Sequence, residues 1–187
     1  MDSYEKILSE IGQLANRAVT VCRENGYKLA TAESCTGGMI SAAITAVSGS
    51  SAVIELGVCS YSNRIKHDIL GVSTAVLEAH TEYSLQCAEE MAAGVIRAAG
   101  ADFGVSTTGV AGPTGGTSEH PVGEVFIGVS AGGAQPAVVG RRFVFKPEAG
   151  NNFTQRDFIR AAAARQALTL LLEQIENAKP QKGENNG

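Results

Sequence analysis

The sequence predicts an α/β fold, a three-layer α/β/α sandwich around a mixed, mostly parallel sheet of about five to six strands. Segments with helical spacing of apolar residues alternate with short apolar runs of strand length through most of the chain. Near the end, Gly132-Gly133 joins two strand-like runs as a hairpin, which makes at least one strand antiparallel. The 187 residues fit one domain, and we expect a single domain over 1–187 with a polar tail from about 179.

Each helix and strand is predicted from a local signal. Apolar residues recur every three to four positions in the helical segments, and glycines follow several of them as C-terminal caps. The predicted helices are 3–24, 39–46, 64–70, a short one from 73, 84–99 and 153–175, the last with Asn151 or Asn152 as its cap. The predicted strands are 27–32, 52–62 with Gly57 as a point where it can break, 102–107, 122–131 and 136–146.

Composition restricts the classes of function. Apolar residues make up 44% of the chain and charged residues 18%, which is typical of a globular protein. The net charge of −4 indicates no basic surface, so we expect no nucleic-acid partner. No apolar run is long enough for a membrane span or a signal peptide, so we expect no membrane association and a cytoplasmic location. The four cysteines lack metal-ligand spacing, so we expect free thiols and no metal.

The segment TAESCTGG, Thr31 to Gly38, joins a predicted strand to a predicted helix. Backbone N–H groups at such a helix start favour an anion or a developing oxyanion. Ser34 is a candidate nucleophile, but Ser34 or Thr36 can equally serve only as a helix cap. Cys35 is the stronger nucleophile by nature, yet it needs a thiolate and normally a histidine partner, and none of the three histidines has that context.

The segment YSNRIKHDILG, Tyr61 to Gly71, contains a candidate base. Lys66 follows a predicted strand by a few residues, and a lysine can act as a general base when desolvation or a neighbouring cation lowers its pKa. The alternative is a solvated lysine on a helix surface, which is the usual state of this residue. Tyr61 can relay a proton or orient the lysine, although packing in the core is its ordinary role.

A Gly-rich loop follows a third predicted strand, within the segment Ser106 to Val125. It matches neither of the two glycine fingerprints of nucleotide-binding loops. A long loop of this kind in a compact domain is more often functional than not. Because the carboxyl ends of parallel strands meet at one edge of a sheet, we expect the three segments to form one pocket.

Together, the stretches TAESCTGG, GVCSYSNRIKHDILGV and TTGVAGPTGGTSEHPVGEVFIGV resemble the CinA carboxy-terminal domain family of nicotinamide mononucleotide amidohydrolases. The resemblance extends from about Leu29 to Val129, with the motifs in order. It implies an α/β/α fold, a homodimer or higher homo-oligomer, and a pyridine nucleotide substrate. It also implies hydrolysis of the carboxamide to nicotinic acid mononucleotide and ammonia by a serine–lysine mechanism, with neither metal nor cofactor.

The resemblance also implies roles for individual residues. Ser34 matches the nucleophile and Lys66 the base, while Tyr61 and Thr108 match positions that assist proton transfer. The residues expected to bind substrate are Thr36, Gly37, Gly38, Asn63, Gly109, Ala111, Gly112, Gly115, Arg142 and Arg156, the two arginines being alternatives for the phosphate.

The chain departs from the family pattern at two places. It has Cys59-Ser60 where the family often has a threonine, and it has GNNFTQRDFIR where the family tends to have Gly-Asp-Arg. Two alternatives to the hydrolase therefore stay open, namely a weak or inactive nucleotide-binding module and a thiol hydrolase acting through Cys35. The hydroxyl-rich strand ends count against a purely structural oligomer.

Overall fold

The computed structural model describes residues 3–132, 137–146 and 154–178. Its helices are α1 (Tyr4–Asn25), α2 (Met39–Thr45), α3 (Asn63–Leu70), α4 (Thr74–His80), α5 (Leu85–Ala99) and α6 (Gln155–Asn177), with a 3₁₀ turn at Ser50–Ala52. Its strands are β1 (Leu29–Glu33), β2 (Ile54–Cys59), β3 (Phe103–Gly109), β4 (Glu124–Ala131) and β5 (Ala137–Val144). Within these residues, no helix is long and apolar enough to cross a membrane.

The five strands form one mixed sheet in the order β2-β1-β3-β4-β5. β1 is parallel to both of its neighbours, whereas β4 is antiparallel to β3 and to β5, so only β4 runs against the other four. In register, Glu33 at the end of β1 lies beside Cys59 of β2 and Thr107 of β3. The carboxyl ends of these three strands therefore meet at one edge, and the predicted mixed, mostly parallel sheet is confirmed.

Helices cover both faces of the sheet, which confirms the three-layer class. The larger apolar cluster joins one face to α1, α2 and α6, and the smaller cluster joins the other face to α3 and α5. Strand β1 shows the alternation directly, since Leu29 belongs to the larger cluster while Ala30 and Ala32 belong to the smaller one. Burial of each large aliphatic side chain stabilises this arrangement by about 1.5–3 kcal/mol.

Strand β2 continues through Gly57, where the sequence predicted a break. A Cβ atom at this position would lie 2.6 Å from Oγ of Ser41 on α2. The glycine therefore allows α2 to approach the sheet closely and does not interrupt the strand.

Helix α6 begins two residues later than predicted. Thr154 is its N-cap and forms a capping box with Asp157, in which each residue's side chain accepts from the backbone N–H of the other. The predicted caps Asn151 and Asn152 lie outside the described residues, as do Gly133 of the predicted hairpin turn and the polar tail from 179.

Candidate active site

A small pocket lies at the edge where the carboxyl ends of β1, β2 and β3 meet. It is lined by Ser34, Cys35, Tyr61, Lys66, Glu82, Tyr83, Gly109, Ala111 and Arg156. The segments after the three strands all contribute, as the sequence predicted. The segment between α4 and α5 and the first turn of α6 complete the wall.

Ser34 and Lys66 meet inside this pocket. The Lys66 ammonium donates to Oγ of Ser34 at 3.3 Å and to the backbone oxygen of Ser60 at 2.9 Å. The Lys66 side chain is only 1% exposed, because the short helix α3 directs it inward from its first turn. The alternative of a solvated lysine on the helix surface is therefore wrong, and the Lys66 amine lies within hydrogen-bond distance of the Ser34 hydroxyl.

Burial lowers the pKa of Lys66 below its ordinary value of 10.5. The loss of hydration is the largest cause, and the nearby carboxylate of Glu82 acts in the opposite direction. A neutral lysine has a lone pair that can accept the proton of the Ser34 hydroxyl. The geometry and the electrostatics together make Lys66 a chemically competent base for Ser34.

Glu33, for which the sequence indicated no role, holds the turn that carries Ser34. Its fully buried carboxylate accepts five hydrogen bonds. The donors are Oγ1 of Thr36 at 2.7 Å, Oγ of Ser41 at 2.7 Å, and the backbone N–H groups of Gly38, Ile40 and Ser41 at 3.0, 3.1 and 2.8 Å. The positive end of α2 is thus occupied by a carboxylate of the protein itself.

The glycine N–H groups of the turn are also engaged. The Gly37 N–H donates to the Ser34 carbonyl at 3.1 Å, and the Gly38 N–H donates to Glu33. No backbone carbonyl of the described residues accepts from the N–H groups of Cys35 and Thr36. These two amides of the turn are therefore the candidates to stabilise an oxyanion.

The side chain of Thr36 does not line the pocket, contrary to the expectation that it binds substrate. It is fully buried, and its hydroxyl lies 2.7 Å from that of Thr107 in addition to donating to Glu33. Because both contacts are internal, the Thr36 side chain joins the turn to β3. Only its backbone amide remains near the nucleophile.

Cys35 lines the pocket but is poorly suited to act as a nucleophile. Burial raises the pKa of its thiol to about 12, and the nearby Lys66 opposes this only in part. A thiol with that pKa is almost entirely protonated at neutral pH, whereas the nucleophilic species is the thiolate. The four cysteines are all free thiols, as expected, and only Cys59 is exposed.

Arg156 bridges two walls of the pocket. It donates through Nη1 to the Gly112 carbonyl at 2.8 Å and through Nη2 to the Tyr61 hydroxyl at 3.1 Å. Tyr61 is 64% exposed, so it is not a core residue. Its hydroxyl contacts Arg156 and not Lys66, so this conformation does not support the idea that Tyr61 orients the lysine.

Arg142, the other candidate for the phosphate, lies elsewhere. It is on β5 and donates to Glu124 at 2.6 Å, while His120 contacts the second carboxylate oxygen at 2.8 Å. Arg142 is not among the residues that line the pocket. The structure therefore separates the two arginines and puts only Arg156 beside Ser34 and Lys66.

Thr108 and Asn63 both contact Glu82 without lining the pocket themselves. The buried Thr108 hydroxyl donates to the Glu82 carbonyl at 2.7 Å, and the Asn63 amide donates to Oε2 of Glu82 at 3.2 Å. Sequence reasoning missed Glu82 and Tyr83, which do line the pocket, because the segment that carries them follows a helix and not a strand. Thr108 and Asn63, which were predicted, thus contact the pocket through Glu82, which was not.

The Gly-rich loop contributes Gly109 and Ala111 to the pocket wall. Gly109 has a φ of 154°, and a Cβ atom there would collide with the Glu124 carbonyl, so only glycine fits. Gly112 contributes its carbonyl as the acceptor for Arg156, while a Cβ atom at the exposed Gly115 would meet nothing within 4 Å. Within the described ranges, no group of three or more His, Cys, Asp or Glu side chains is arranged to hold a metal ion.

A family model of the CinA C-terminal domain matches residues 11–175 of the chain. The chain belongs to the CinA C-terminal domain family. This CinA domain is 48% identical over 124 residues to the nicotinamide-nucleotide amidohydrolase PncC of Enterobacter agglomerans, which covers 66% of this chain and 74% of that protein. It is 42% identical over 152 residues to a CinA-like protein of Chlorobium limicola, and the matched region covers 81% of this chain and 35% of that protein.

Solved structures show the same fold for this CinA domain. The competence/damage inducible protein CihA from Agrobacterium tumefaciens superimposes with a TM-score of 0.80 at 38% identity, covering 89% of this chain and 96% of that chain. Several curated relatives are much longer than the region they share with this domain. The matched region spans 27% to 36% of the length of five of them.

Proposed function

We propose that this CinA domain hydrolyses the carboxamide of nicotinamide mononucleotide to nicotinic acid mononucleotide and ammonia, in the recycling of pyridine nucleotides. The observation that carries the proposal is the buried Lys66 amine, with its lowered pKa, 3.3 Å from Oγ of Ser34. The name of the 48% identical relative from Enterobacter agglomerans supports the substrate class.

In the first step, neutral Lys66 takes the proton of the Ser34 hydroxyl while the serine oxygen attacks the carboxamide carbon. A carbon–oxygen bond forms, and the carbonyl oxygen becomes an oxyanion. In this proposal the Cys35 and Thr36 N–H groups donate to it. Each such donor is worth about 3–4 kcal/mol of barrier lowering in enzymes of this type.

In the second step, the Lys66 ammonium gives its proton to the amide nitrogen, and the carbon–nitrogen bond breaks to release ammonia. Water then attacks the acyl-enzyme with Lys66 again as the base. The carbon–oxygen bond to Ser34 breaks, and the serine recovers its proton. The balance is one amide and one water consumed, with one carboxylic acid and one ammonia formed.

Arg156 is the residue that we propose for the substrate phosphate. Its guanidinium lines the pocket, and a planar fork of donors suits a phosphate. Arg142 is already engaged by the buried Glu124 carboxylate and does not line the pocket. Gly109 and Ala111 would lie against the nucleotide, because the loop backbone approaches the pocket there.

The test is ammonia release from nicotinamide mononucleotide, measured for the wild-type protein and for Ser34→Ala, Lys66→Met and Cys35→Ala. We expect the first two variants to lose about 1,000-fold or more in kcat while their circular dichroism stays native. Cys35→Ala should keep most of the activity, because its thiol remains protonated. A dead Cys35→Ala beside an active Ser34→Ala would move the nucleophile to the cysteine.

The same assay separates the enzyme from a nucleotide-binding module. Calorimetry on the wild-type protein reports binding of the mononucleotide independently of turnover. Binding without any ammonia from the mononucleotide, the riboside or the intact dinucleotide would contradict the proposed hydrolase. It would leave the pocket as a sensor of pyridine nucleotides.

A further inference from the structure

Glu82 brings a carboxylate into the pocket that the proposed mechanism does not use. The charged residues that line the pocket are Lys66, Glu82 and Arg156. Apart from Lys66, whose pKa is lowered by burial, the charged groups of the wall are one carboxylate and one guanidinium. A pocket with one charge of each sign fits a substrate that itself carries both.

Hydrogen bonds from two elements hold Glu82, one at its carboxylate and one at its backbone. Asn63 donates to its Oε2 from α3, and Thr108 holds its backbone carbonyl from β3. The charge of Glu82 contributes, after burial, to raising the pKa of the adjacent Tyr83 phenol, which lines the same wall. Helix α3 therefore holds the Glu82 side chain, while β3 holds the backbone that carries it.

The backbone before Glu82 is in an unfavourable conformation. Thr81 has φ 62° and ψ 175°, and it is the one residue other than glycine with a positive φ in the described part of the chain. This region of backbone space is essentially restricted to glycine, so a β-branched residue there stores strain. Such strain persists where the surrounding structure fixes a functional segment, here the one that carries Glu82 and Tyr83.

We propose that Glu82 determines specificity by acting as the counter-ion for the positively charged ring of the substrate. This inference rests on the proposed function. In nicotinamide mononucleotide the ring nitrogen carries a positive charge close to the carboxamide, while the phosphate is at the far end. With the carboxamide at Ser34, Glu82 pairs with the ring and Arg156 with the phosphate.

The same charge favours release of the product. Hydrolysis converts the neutral carboxamide into a carboxylate, which adds a negative charge beside the ring. Glu82 attracts the substrate ring and repels the new carboxylate, so it weakens product binding relative to substrate binding. Substrate selection and product release then follow from one residue.

The test measures binding in a Ser34→Ala background, where no turnover occurs. The two ligands are nicotinamide mononucleotide and its uncharged isostere, in which a benzamide ring is joined to ribose 5-phosphate through carbon. Glu82→Gln should weaken binding of the charged ligand by about 10- to 100-fold and of the isostere by less than about 3-fold. Glu78→Gln, the same change at an exposed position of α4, should alter neither.

A second readout concerns the product. In the otherwise wild-type enzyme, Glu82→Gln should lower the inhibition constant of nicotinic acid mononucleotide relative to the KM of the substrate. An equal loss of affinity for the charged and uncharged ligands, or no loss for either, would overturn the proposal. A wild-type protein that releases no ammonia would refute the proposed function, whereas the binding comparison would still decide the role of Glu82.

Discussion

Replacing Glu33 by glutamine tests whether its buried carboxylate organises the turn that carries Ser34. The substitution keeps the shape of the side chain and removes the charge. In the wild type, Oε2 accepts from Thr36, Gly38 and Ile40, and Oε1 accepts from the hydroxyl and the N–H of Ser41. Glutamine has only one carbonyl oxygen, so at least one group of these donors must face an NH₂.

The cost is smallest if the NH₂ group replaces Oε1. The Ser41 hydroxyl can then turn to Thr31, which it already contacts, but the Ser41 N–H loses its acceptor. A buried donor without an acceptor costs about 1–3 kcal/mol, and the bonds that remain lose the strengthening that the negative charge gives. We therefore expect Glu33→Gln to lower the free energy of unfolding by about 2–5 kcal/mol.

For a chain of this size, that loss corresponds to a fall in Tm of about 4–20 °C. Differential scanning calorimetry measures the Tm, and urea unfolding gives the free energy. The matched control is Glu55→Gln, because Glu55 forms an ion pair with Lys28 at 2.8 Å but is 40% exposed. Such a surface pair is worth about 1 kcal/mol or less. If the Tm of Glu33→Gln stayed within about 2 °C of the wild type, the reasoning would be wrong.

Three further predictions concern single side chains. Because the pKa of Lys66 is lowered in the folded state, the unfolded chain binds more protons between that pKa and 10.5, so stability rises with pH across this window. In urea unfolding, Lys66→Met should have a higher free energy of unfolding than the wild type at pH 7 and should not show the increase with pH. Turnover of the wild type should increase as the pH rises through the lowered pKa. If the pH dependence of stability were the same in both proteins, the lowered pKa could not belong to Lys66. Ser60 has a buried hydroxyl with no hydrogen-bond partner in the described residues. Ser60→Ala should therefore unfold at an equal or higher Tm, and its free energy of unfolding should rise by about 1 kcal/mol at most. A fall of that size would indicate that the hydroxyl has a partner. Iodoacetamide at pH 7 should label the exposed Cys59 before Cys35, whose thiol has a pKa of about 12, and peptide mass spectrometry with an activity assay should find Cys35 unlabelled in active protein.

The order of the elements could be predicted because its signals are local. Helical periodicity, capping glycines and short apolar runs each lie within about twenty residues, and none depends on the rest of the fold. The meeting of Ser34 and Lys66 could also be predicted, since both follow strands whose carboxyl ends share an edge. The pairing needed only the topological rule and two residue types.

The choice between the two arginines required the folded structure. Arg142 is set by the register of β5 on β4, where it lies opposite Phe126, and that register depends on contacts between distant segments. Arg156 lines the pocket from the first turn of α6, which begins at the Thr154 cap two residues later than the apolar pattern indicated. The register of β5 has no local signature in the sequence, whereas the start of α6 has one that the apolar pattern does not include, the Thr154–Asp157 capping box.

The contacts of Glu33 also restrict where the phosphate of the proposed substrate can bind. The sequence suggested that the start of α2 attracts an anion, but the carboxylate of Glu33 already receives the N–H groups of Gly38, Ile40 and Ser41. A second anion at the same point would meet like charge and no free donor. The phosphate of the proposed substrate would therefore be held elsewhere, and Arg156 is the arginine that lines the pocket. The helix start instead fixes the turn that carries Ser34, Cys35 and Thr36, so its contribution to the proposed mechanism is positional.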